Sequence, residues 1–307
     1  DQLRLEGIAL QSPYSRNSIP DAADLVVLGN AGLSRGNPAV EALLSNGTEF
    51  CSGAEFLGRF ILKDKWVIAV SGTHGKTTTA SMVTWILDCA GLNPGYLIGG
   101  IPTNFERSAR LTESPFFVIE ADEYDTSFFD RQSKFLHYHP RTLVLNNLEF
   151  DHADIFADLK AIEDQFHQLI RRVPANGLII SNGQDHNIET LLERGIWSEQ
   201  LRFGVIDDQD PQPPGGLSMH QPSQVISLEG ARLGTLSRRL TGAHNLSNAL
   251  AALAAARHVG VPPALGIQYL ADFTGVKRRM EIVHTAPKAV LYDDFAHHPT
   301  AIKSTLA

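Results

Sequence analysis

Cysteine is scarce in this sequence, and long apolar runs are absent from it. The two cysteines, Cys51 and Cys89, do not form a pair at metal-ligand spacing, so we expect reduced thiols in a cytoplasmic protein. Without a long apolar run, the sequence predicts no membrane-spanning helix. Basic residues are outnumbered as well: 26 Lys and Arg face 34 Asp and Glu, and the net charge of −8 argues against a nucleic-acid partner. The remaining composition, 43% hydrophobic and 20% charged, is typical of a globular protein.

Residues 66–79 have the pattern of a strand, a glycine loop and a helix. The run from Trp66 to Val70 is apolar and rich in β-branched residues, which predicts a buried strand. Gly72 and Gly75 allow the backbone to turn tightly and to approach a ligand closely. A helix is predicted to begin directly after Gly75.

This pattern predicts a phosphate cradle for ATP. Backbone N–H groups and the positive end of the helix would meet the anion, Lys76 would reach the terminal phosphates, and the Thr77 hydroxyl would ligate Mg²⁺. Val70 stands where the common P-loop motif has its first glycine. The alternative is a glycine turn with a solvated lysine. The other candidate nucleotide-binding residues of the loop are Thr73, His74, Gly75 and Thr78.

The rest of the chain predicts an α/β fold. Strand and helix patterns alternate through residues 63–273, which favours a mostly parallel sheet covered on both faces. We expect this central P-loop-type domain to lie between two Rossmann-like domains that are both truncated, residues 1–62 and 274–307. The expected elements are strands at 25–30, 116–121, 142–147 and 177–182, helices at 38–45, 159–173 and 244–259, a loop at 207–216 and antiparallel strands within 225–240.

An acidic stretch follows the predicted strand at 116–121. Residues 120–125 carry four carboxylates in six positions, and these repel one another unless a cation is present. Ligands bind beyond the carboxyl ends of parallel strands, where the phosphate loop also lies. Mg²⁺ takes one or two protein carboxylates together with phosphate oxygens and water, so Glu120 is a predicted ligand. The alternative is an acidic loop that faces solvent.

A second polar stretch, residues 147–154, follows the predicted strand at 142–147. It contains His152 next to Asp151. Histidine binds Mg²⁺ with carboxylate help, so His152 is a candidate metal ligand. An Asp–His pair is also commonly a surface hydrogen bond, and that alternative stays open.

Two asparagines begin the alanine-rich helix predicted at 244–259. Asn245 and Asn248 lie about one turn apart, and paired amide donors and acceptors can read an adenine edge. His244 is adjacent and is a candidate cap or nucleotide contact.

Further along the chain, Arg278 and Arg279 follow Gly275 at a predicted domain boundary. An arginine there can reach across a cleft to a phosphoryl group, and the alternative is a basic linker. Residues 292–299 then form a strand end with acids, among them Asp294, and two histidines.

These motifs, in this order, resemble those of the Mur ligase family of ATP-dependent amide-forming enzymes. They are Gly-Thr-His-Gly-Lys-Thr-Thr, the Glu120 strand end, Asn-Leu-Glu-Phe-Asp-His, Gly-Ala-His-Asn-Leu-Ser-Asn, the Arg-Arg pair and Asp-Asp-Phe-Ala-His-His-Pro. Within the family, stretches at 29–38, 120–135 and 146–156 look most like the branch that recycles peptidoglycan. The sibling branch that adds L-alanine usually lacks an insertion around 130–140.

The resemblance implies a ligand set and a reaction. It assigns Lys76 and Thr77 to phosphates and Mg²⁺, Glu120 and His152 to Mg²⁺, His244, Asn245 and Asn248 to adenine, Arg279 to the γ-phosphate, and Asp294 to the nucleotide. Some relatives carry a carbamoylated lysine where this sequence has His167, so we do not expect that modification. The implied substrates are UDP-N-acetylmuramate and the murein tripeptide L-alanyl-γ-D-glutamyl-meso-diaminopimelate, joined through an acyl phosphate.

Three alternatives stay open at this point. The acceptor amine could be L-alanine, as in de novo peptidoglycan synthesis. The protein could be a P-loop ATPase that forms no amide, or a nucleotide-binding scaffold without activity. The sequence does not predict an oligomeric state or the number of Mg²⁺ ions.

Overall fold

The computed structural model describes residues 2–20, 22–29, 33–151, 155–206, 216–221, 223–237, 240, 242–296, 302–303 and 306. The strands are β1 (Val26–Leu28), β2 (Phe50–Ser52), β3 (Trp66–Ser71), β4 (Gly95–Leu97), β5 (Ala109–Arg110), β6 (Phe116–Glu120), β7 (Thr142–Leu145), β8 (Leu178–Asn182), β9 (Glu199–Ile206), β10 (Leu217–His220), β11 (Val225–Leu228), β12 (Ala231–Thr235), β13 (Glu281–Ala286) and β14 (Ala289–Asp293). The helices are α1 (Gln2–Leu5), α2 (Pro38–Asn46), α3 (Gly53–Phe56), α4 (Lys76–Cys89), α5 (Leu159–Ile170), α6 (His186–Glu193), α7 (Ala243–His258) and α8 (Pro263–Leu270).

Ten strands form one sheet in the order β12-β11-β10-β9-β8-β7-β3-β6-β4-β5. From β10 through β4 every neighbouring pair is parallel, and β5, β11 and β12 join antiparallel at the two edges. Strand β3 lies in the middle, between β6 and β7. The two smaller sheets pair β1 with β2 and β13 with β14.

Helices cover both faces of the large sheet because alternate side chains of its strands point in opposite directions. In β3, Ile68 and Val70 pack into a core with α4, α7 and α8, whereas Val67 and Ala69 pack into a second core with α5 and α6. All four side chains are completely or almost completely buried. The predicted α/β fold with a mostly parallel sheet is therefore confirmed.

Helix α7 is built of small residues where it packs against α4. Its alanines at 249, 251, 252, 254, 255 and 256 are buried, and the two helices are in contact. Alanine lets helix backbones approach closely, and one hydrogen bond joins the pair, from Thr79 Oγ1 to Asn248 Oδ1 at 3.1 Å. The position of α4 is thus set in part by its packing against α7, in a core that the two helices share.

The segment before β3 packs against the chain that follows β6. Ser52 Oγ donates to Asp130 Oδ2 at 2.7 Å, in a buried position. The rings of Phe50 and Phe129 meet edge to face at 4.9 Å, and Phe128 packs on the small core beneath β1 and α2. Residues 128–130, which follow the acidic stretch, are therefore held by the N-terminal part of the chain.

Local sequence signals account for most element boundaries. The predicted strands at 116–121, 142–147 and 177–182 correspond to β6, β7 and β8, and the antiparallel strands within 225–240 are β11 and β12. Most of the predicted loop at 207–216 lies outside the described residues, as does most of 297–307. Strands β2, β4, β5, β9, β10 and β13 and helices α6 and α8 were not predicted.

None of the helices in the described part of the chain has the length and apolar character needed to cross a lipid bilayer.

A half-buried histidine at the end of α7 gives the fold a pH dependence. His258 Nδ1 lies 2.8 Å from Thr142 Oγ1 and its ring meets Trp66 edge to face. Burial lowers the pKa of His258 below its ordinary value of 6.5, and Arg141 adds to this effect. The folded protein therefore takes up this proton less readily than the unfolded chain, so stability is present above the ordinary pKa and is lost as the pH falls through the folded pKa.

We expect the unfolding free energy of His258→Gln to fall less steeply than that of the unaltered protein between about pH 7 and about pH 5. The two slopes should differ by at most about 1.4 kcal/mol per pH unit. Urea unfolding across this range measures the slope. The matched control is His284→Gln, because His284 is exposed on β13. The prediction is contradicted if the unfolding free energy of His258→Gln falls with pH as steeply as that of the unaltered protein.

Candidate active site

Three polar segments meet at one edge of the sheet. Strands β3, β6 and β7 are adjacent and parallel, so their carboxyl ends lie side by side. These ends lead into the phosphate loop, the acidic stretch beginning at Glu120, and the stretch beginning at Asn146. The structure thus brings together the segments that the sequence marked separately.

The loop between β3 and α4 has a shape that requires glycine. Gly72 and Gly75 have φ angles of 135° and 78°. A Cβ at Gly75 would lie 2.4 Å from Asn248 Oδ1, and one at Gly72 would lie 3.0 Å from the Asn147 carbonyl oxygen. The backbone therefore approaches its neighbours too closely for any side chain, and α4 begins at the next residue, Lys76.

Asn147 fixes this loop from the end of β7. The backbone N–H of His74 donates to Asn147 Oδ1 at 2.7 Å, and Asn147 Nδ2 donates back to the His74 carbonyl at 3.2 Å. Next to this pair, Glu149 N donates to Thr73 Oγ1 at 2.8 Å. His74 Nε2 lies 3.7 Å from Glu149 Oε2. The side chains of Thr73 and His74 thus contact the neighbouring strand end, and Asn147, which our sequence analysis did not select, shapes the loop.

Lys76 is the cation at the centre of the site. Its Nζ lies 3.1 Å from Glu123 Oε2 and 3.6 Å from Asp122 Oδ1, and its side chain is 11% exposed. Burial by itself lowers the pKa of Lys76, but Glu123, Asp122 and Glu120 outweigh this effect and raise it. The lysine is therefore firmly charged, and it offsets part of the repulsion among the carboxylates.

Thr77 and Glu120 meet directly beside this lysine. Thr77 Oγ1 donates to Glu120 Oε1 at 2.9 Å, and Gly99 N donates to Glu120 Oε2 at 2.7 Å. Burial raises the pKa of Glu120, as does Asp122, while Gly99, Lys76 and Thr77 oppose the shift. Arg279 Nη2 donates to Thr77 Oγ1 at 3.5 Å, so the predicted arginine reaches the loop from about 200 residues further along the chain.

The donors at this point fit a magnesium ion. Glu120 and Thr77 present a carboxylate and a hydroxyl, which are hard oxygen ligands, at the opening of a helix that can hold phosphate. Among the described residues, no three His, Cys, Asp or Glu side chains form a metal cluster. One carboxylate and one hydroxyl suit Mg²⁺, which keeps water and phosphate oxygens as its other ligands. The third predicted ligand, His152, lies in 152–154, outside the described residues.

The predicted adenine residues lie at the start of α7. Asn248 is 7% exposed and its Oδ1 accepts from Thr79, so this asparagine is bonded to the first turn of α4. Asn245 lies in the first turn of the same helix. Burial lowers the pKa of His244, and Asp294 opposes that shift from nearby. Asp294 itself accepts from the backbone N–H of Met280 at 2.8 Å.

A second lysine also reaches the acidic stretch. Lys134 Nζ lies 3.7 Å from Asp122 Oδ2 and 3.8 Å from the centre of the Tyr124 ring. Burial lowers the pKa of Lys134, although Asp122 opposes the shift. The sequence carries no local signal for this contact, because Lys134 is part of a turn and not of a strand end.

A family model and a curated protein are similar to this chain. A family model described as the Mur ligase middle domain matches residues 70–256. The chain is 52% identical over 305 residues to the Escherichia coli K12 protein named UDP-N-acetylmuramate--L-alanyl-gamma-D-glutamyl-meso-2,6-diaminoheptandioate ligase. That alignment covers 99% of this chain and 66% of the relative, so the chain spans slightly less than two thirds of the length of the curated relative.

Two solved structures are similar over most of the chain. One is the UDP-N-acetylmuramate:L-alanyl-gamma-D-glutamyl-meso-diaminopimelate ligase from Neisseria meningitides, with a TM-score of 0.83 and 46% identity, covering 90% of this chain and 87% of that one. The other is a murein peptide ligase from Psychrobacter arcticus 273-4, with a TM-score of 0.84 and 40% identity, covering 99% of this chain and 67% of that one.

Proposed function

The chain belongs to the Mur ligase family, and from that premise we propose that the complete protein is an ATP-dependent ligase of peptidoglycan recycling. It joins the lactoyl carboxylate of UDP-N-acetylmuramate to the amino group of L-alanyl-γ-D-glutamyl-meso-diaminopimelate. The observation that carries this proposal is the 52% identity, across almost the whole chain, to a relative with that name. The arrangement of Lys76, Thr77, Glu120 and Arg279 at one strand edge supports it.

The chemistry follows from the leaving group. A carboxylate does not accept an amine, because oxide is too poor a leaving group. In the proposed reaction a carboxylate oxygen attacks the γ-phosphorus of ATP, the bond to the β-phosphate oxygen breaks, and ADP leaves with the electron pair. The amine then attacks the acyl phosphate, phosphate leaves, and one proton is released as the amide forms.

Catalysis in such a transfer is mostly positioning and charge neutralisation. In this proposal the backbone N–H groups of Gly72, Gly75 and Lys76 and the N-terminus of α4 hold the phosphates, because those of Thr73 and His74 already donate to Asn147. Lys76 exchanges Glu123 and Asp122 for the terminal phosphates, and Arg279 approaches the γ-phosphate from beside Thr77. Thr77, Glu120 and His152 would hold Mg²⁺, which supplies charge neutralisation on the phosphate oxygens.

The remaining assignments extend the same proposal. Asn245 and Asn248, with His244, face the adenine, and Asp294 contacts the nucleotide from the C-terminal side. Residues 63–273 form the ATP-binding domain, 1–62 belong to the domain that binds the UDP substrate, and 274–307 begin a C-terminal domain. The reaction takes place in the cytoplasm, where both cysteines are reduced and neither nucleic acid nor membrane is a partner.

Phosphate release from Mg-ATP with UDP-N-acetylmuramate tests the proposal in the complete protein. The tripeptide and L-alanine are offered in separate reactions. We expect turnover that requires the tripeptide. Turnover with L-alanine would instead place the protein in de novo synthesis, and release that ignores both amines would identify an ATPase that forms no amide.

A further inference from the structure

The backbone of Lys134 is fixed beside the acidic stretch. Lys134 opens a short 3-10 turn, Lys134–His137, whose second residue, Phe135, is completely buried. Lys134 N donates to the Tyr124 carbonyl at 3.0 Å, and Phe135 N donates to the Asp122 carbonyl at 3.3 Å. The backbone of Lys134 is therefore held in place by the acidic stretch.

Asp122 lies between two lysines. Its Oδ1 is 3.6 Å from Lys76 Nζ, and its Oδ2 is 3.7 Å from Lys134 Nζ. The Lys134 side chain is three-quarters buried, with its ammonium over the Tyr124 ring. A carboxylate thus already bridges two ammonium groups, so the structure shows that this space accepts a carboxylate.

A cavity lies beside the acidic stretch. A cavity of about 320 Å³ is lined by Glu123 and Asp125 of the acidic stretch and by Ser133, the residue before Lys134. Its volume is within the usual range of small-molecule sites. Ser133 Oγ donates to Gln165 Oε1 at 3.2 Å on the cavity wall. The cavity is therefore lined by residues that stand next to Asp122 and Lys134 in the chain.

The proposed reaction brings two anions together, because the carboxylate must approach the γ-phosphate. Lys76 and Arg279 are the protein cations placed for the phosphate. The carboxylate needs a cation of its own on the opposite side, or its repulsion from the phosphate opposes the attack. Lys134 lies on that side, across the width of one carboxylate from Lys76.

We propose that Lys134 is a catalytic residue that binds the attacking lactoyl carboxylate of UDP-N-acetylmuramate. This inference rests on the proposed function and adds a residue to it. On substrate entry the lysine exchanges Asp122 for the substrate carboxylate and stays protonated throughout. No proton moves in the phosphoryl step: the carboxylate oxygen–phosphorus bond forms, and ADP carries away the electrons of the bond that breaks.

The test is a set of steady-state constants for Lys134→Met in the complete protein. We expect the KM for UDP-N-acetylmuramate to rise by about tenfold or more, the loss that follows from removing one charged hydrogen bond. We expect the KM for Mg-ATP to change by less than about threefold, because Lys76 keeps its place. Lys134→Arg keeps the charge and should recover part of the loss. Lys160→Met, at an exposed ion pair with Asp164, is the matched control.

The outcomes separate the two proposals. If the unaltered protein does not turn over UDP-N-acetylmuramate, the proposed function fails and Lys134 fails with it. If it does, but Lys134→Met has an unchanged KM for that substrate, only the role of Lys134 is overturned. An equal rise in the KM for Mg-ATP and the KM for UDP-N-acetylmuramate would show that Lys134 only neutralises the acidic stretch, and would overturn its assignment to the carboxylate. A rise in KM that is confined to the tripeptide would also overturn the assignment. Should the Met variant not fold, Lys134→Arg still reports the KM.

Discussion

Lys76→Ala is expected to lower the rate of amide formation by about 10²- to 10³-fold or more, the usual loss when one preorganised charge partner of the transition state is removed. The reason is position: Lys76 opens α4 at the phosphate loop, and its side chain is only 11% exposed. Its loss also leaves Glu123 and Asp122 without this ion-pair partner. Tripeptide-dependent phosphate release measures the rate, and the thermal unfolding midpoint measures the effect on the fold.

Two further variants make this result interpretable. Lys160→Ala removes an exposed lysine from α5 and should retain the rate of the unaltered protein. Lys76→Arg keeps the charge but changes the geometry of the donors, so it should fold and remain slow. If Lys76→Ala folds and loses only a few-fold in rate, the phosphate loop does not bind the transferring phosphate.

Glu120→Gln is expected to separate activity from stability. We expect a loss of about 10²-fold or more in kcat/KM for Mg-ATP, since the carboxylate that would hold the metal becomes a neutral amide. We expect no loss of unfolding free energy at neutral pH. Gln can still accept from Gly99 N, and the Thr77 hydroxyl can rotate to accept from the amide.

The pH dependence of this variant has a defined sign. Burial raises the pKa of Glu120 above its ordinary value of 4.5, so the ionised side chain is less stable in the folded protein than in the unfolded chain. That destabilising contribution is absent below the ordinary pKa and grows as the pH rises through the folded pKa. The unfolding free energy of Glu120→Gln relative to the unaltered protein should therefore increase from about pH 4.5 upward.

Urea unfolding and kcat/KM measured across Mg²⁺ concentrations check both halves of the prediction. Glu189→Gln is the control, because Glu189 lies on α6 and pairs with Arg202 of β9. An unchanged dependence on Mg²⁺ in Glu120→Gln would remove Glu120 from the proposed metal site. A lower unfolding free energy at neutral pH would show that its charge stabilises the fold.

The sequence was informative where local chemistry decides the structure. The run at 66–70, the two glycines and Lys76 specify a strand, a turn and a helix start within 14 neighbouring residues, and the structure has all three. For the same reason β6 and β7 were predicted, although β6 ends one residue before and β7 two residues before the predicted ends at 121 and 147. Strand β9 was missed because Glu199 and Arg202 interrupt its apolar pattern.

Contacts between distant segments could not be predicted in this way. The pairing of His74 with Asn147 joins residues 73 positions apart, and its geometry depends on which strands are neighbours in the sheet. The Thr79–Asn248 hydrogen bond depends on how two helices pack, 169 positions apart. The contact of Lys134 with Asp122 depends on the path of a turn. Each is a consequence of topology, which composition and spacing do not encode locally.

The alanines of α7 have one more consequence. Ala252 and Ala255 are completely buried in the core that α7 shares with α4, so this part of the molecule has little room for a larger side chain. We expect enlarging either alanine to strain this packing and to shift α4, the helix whose first turn carries Lys76 and Thr77. Residues far from the nucleotide site therefore help to set the distance between the phosphate loop and Glu120.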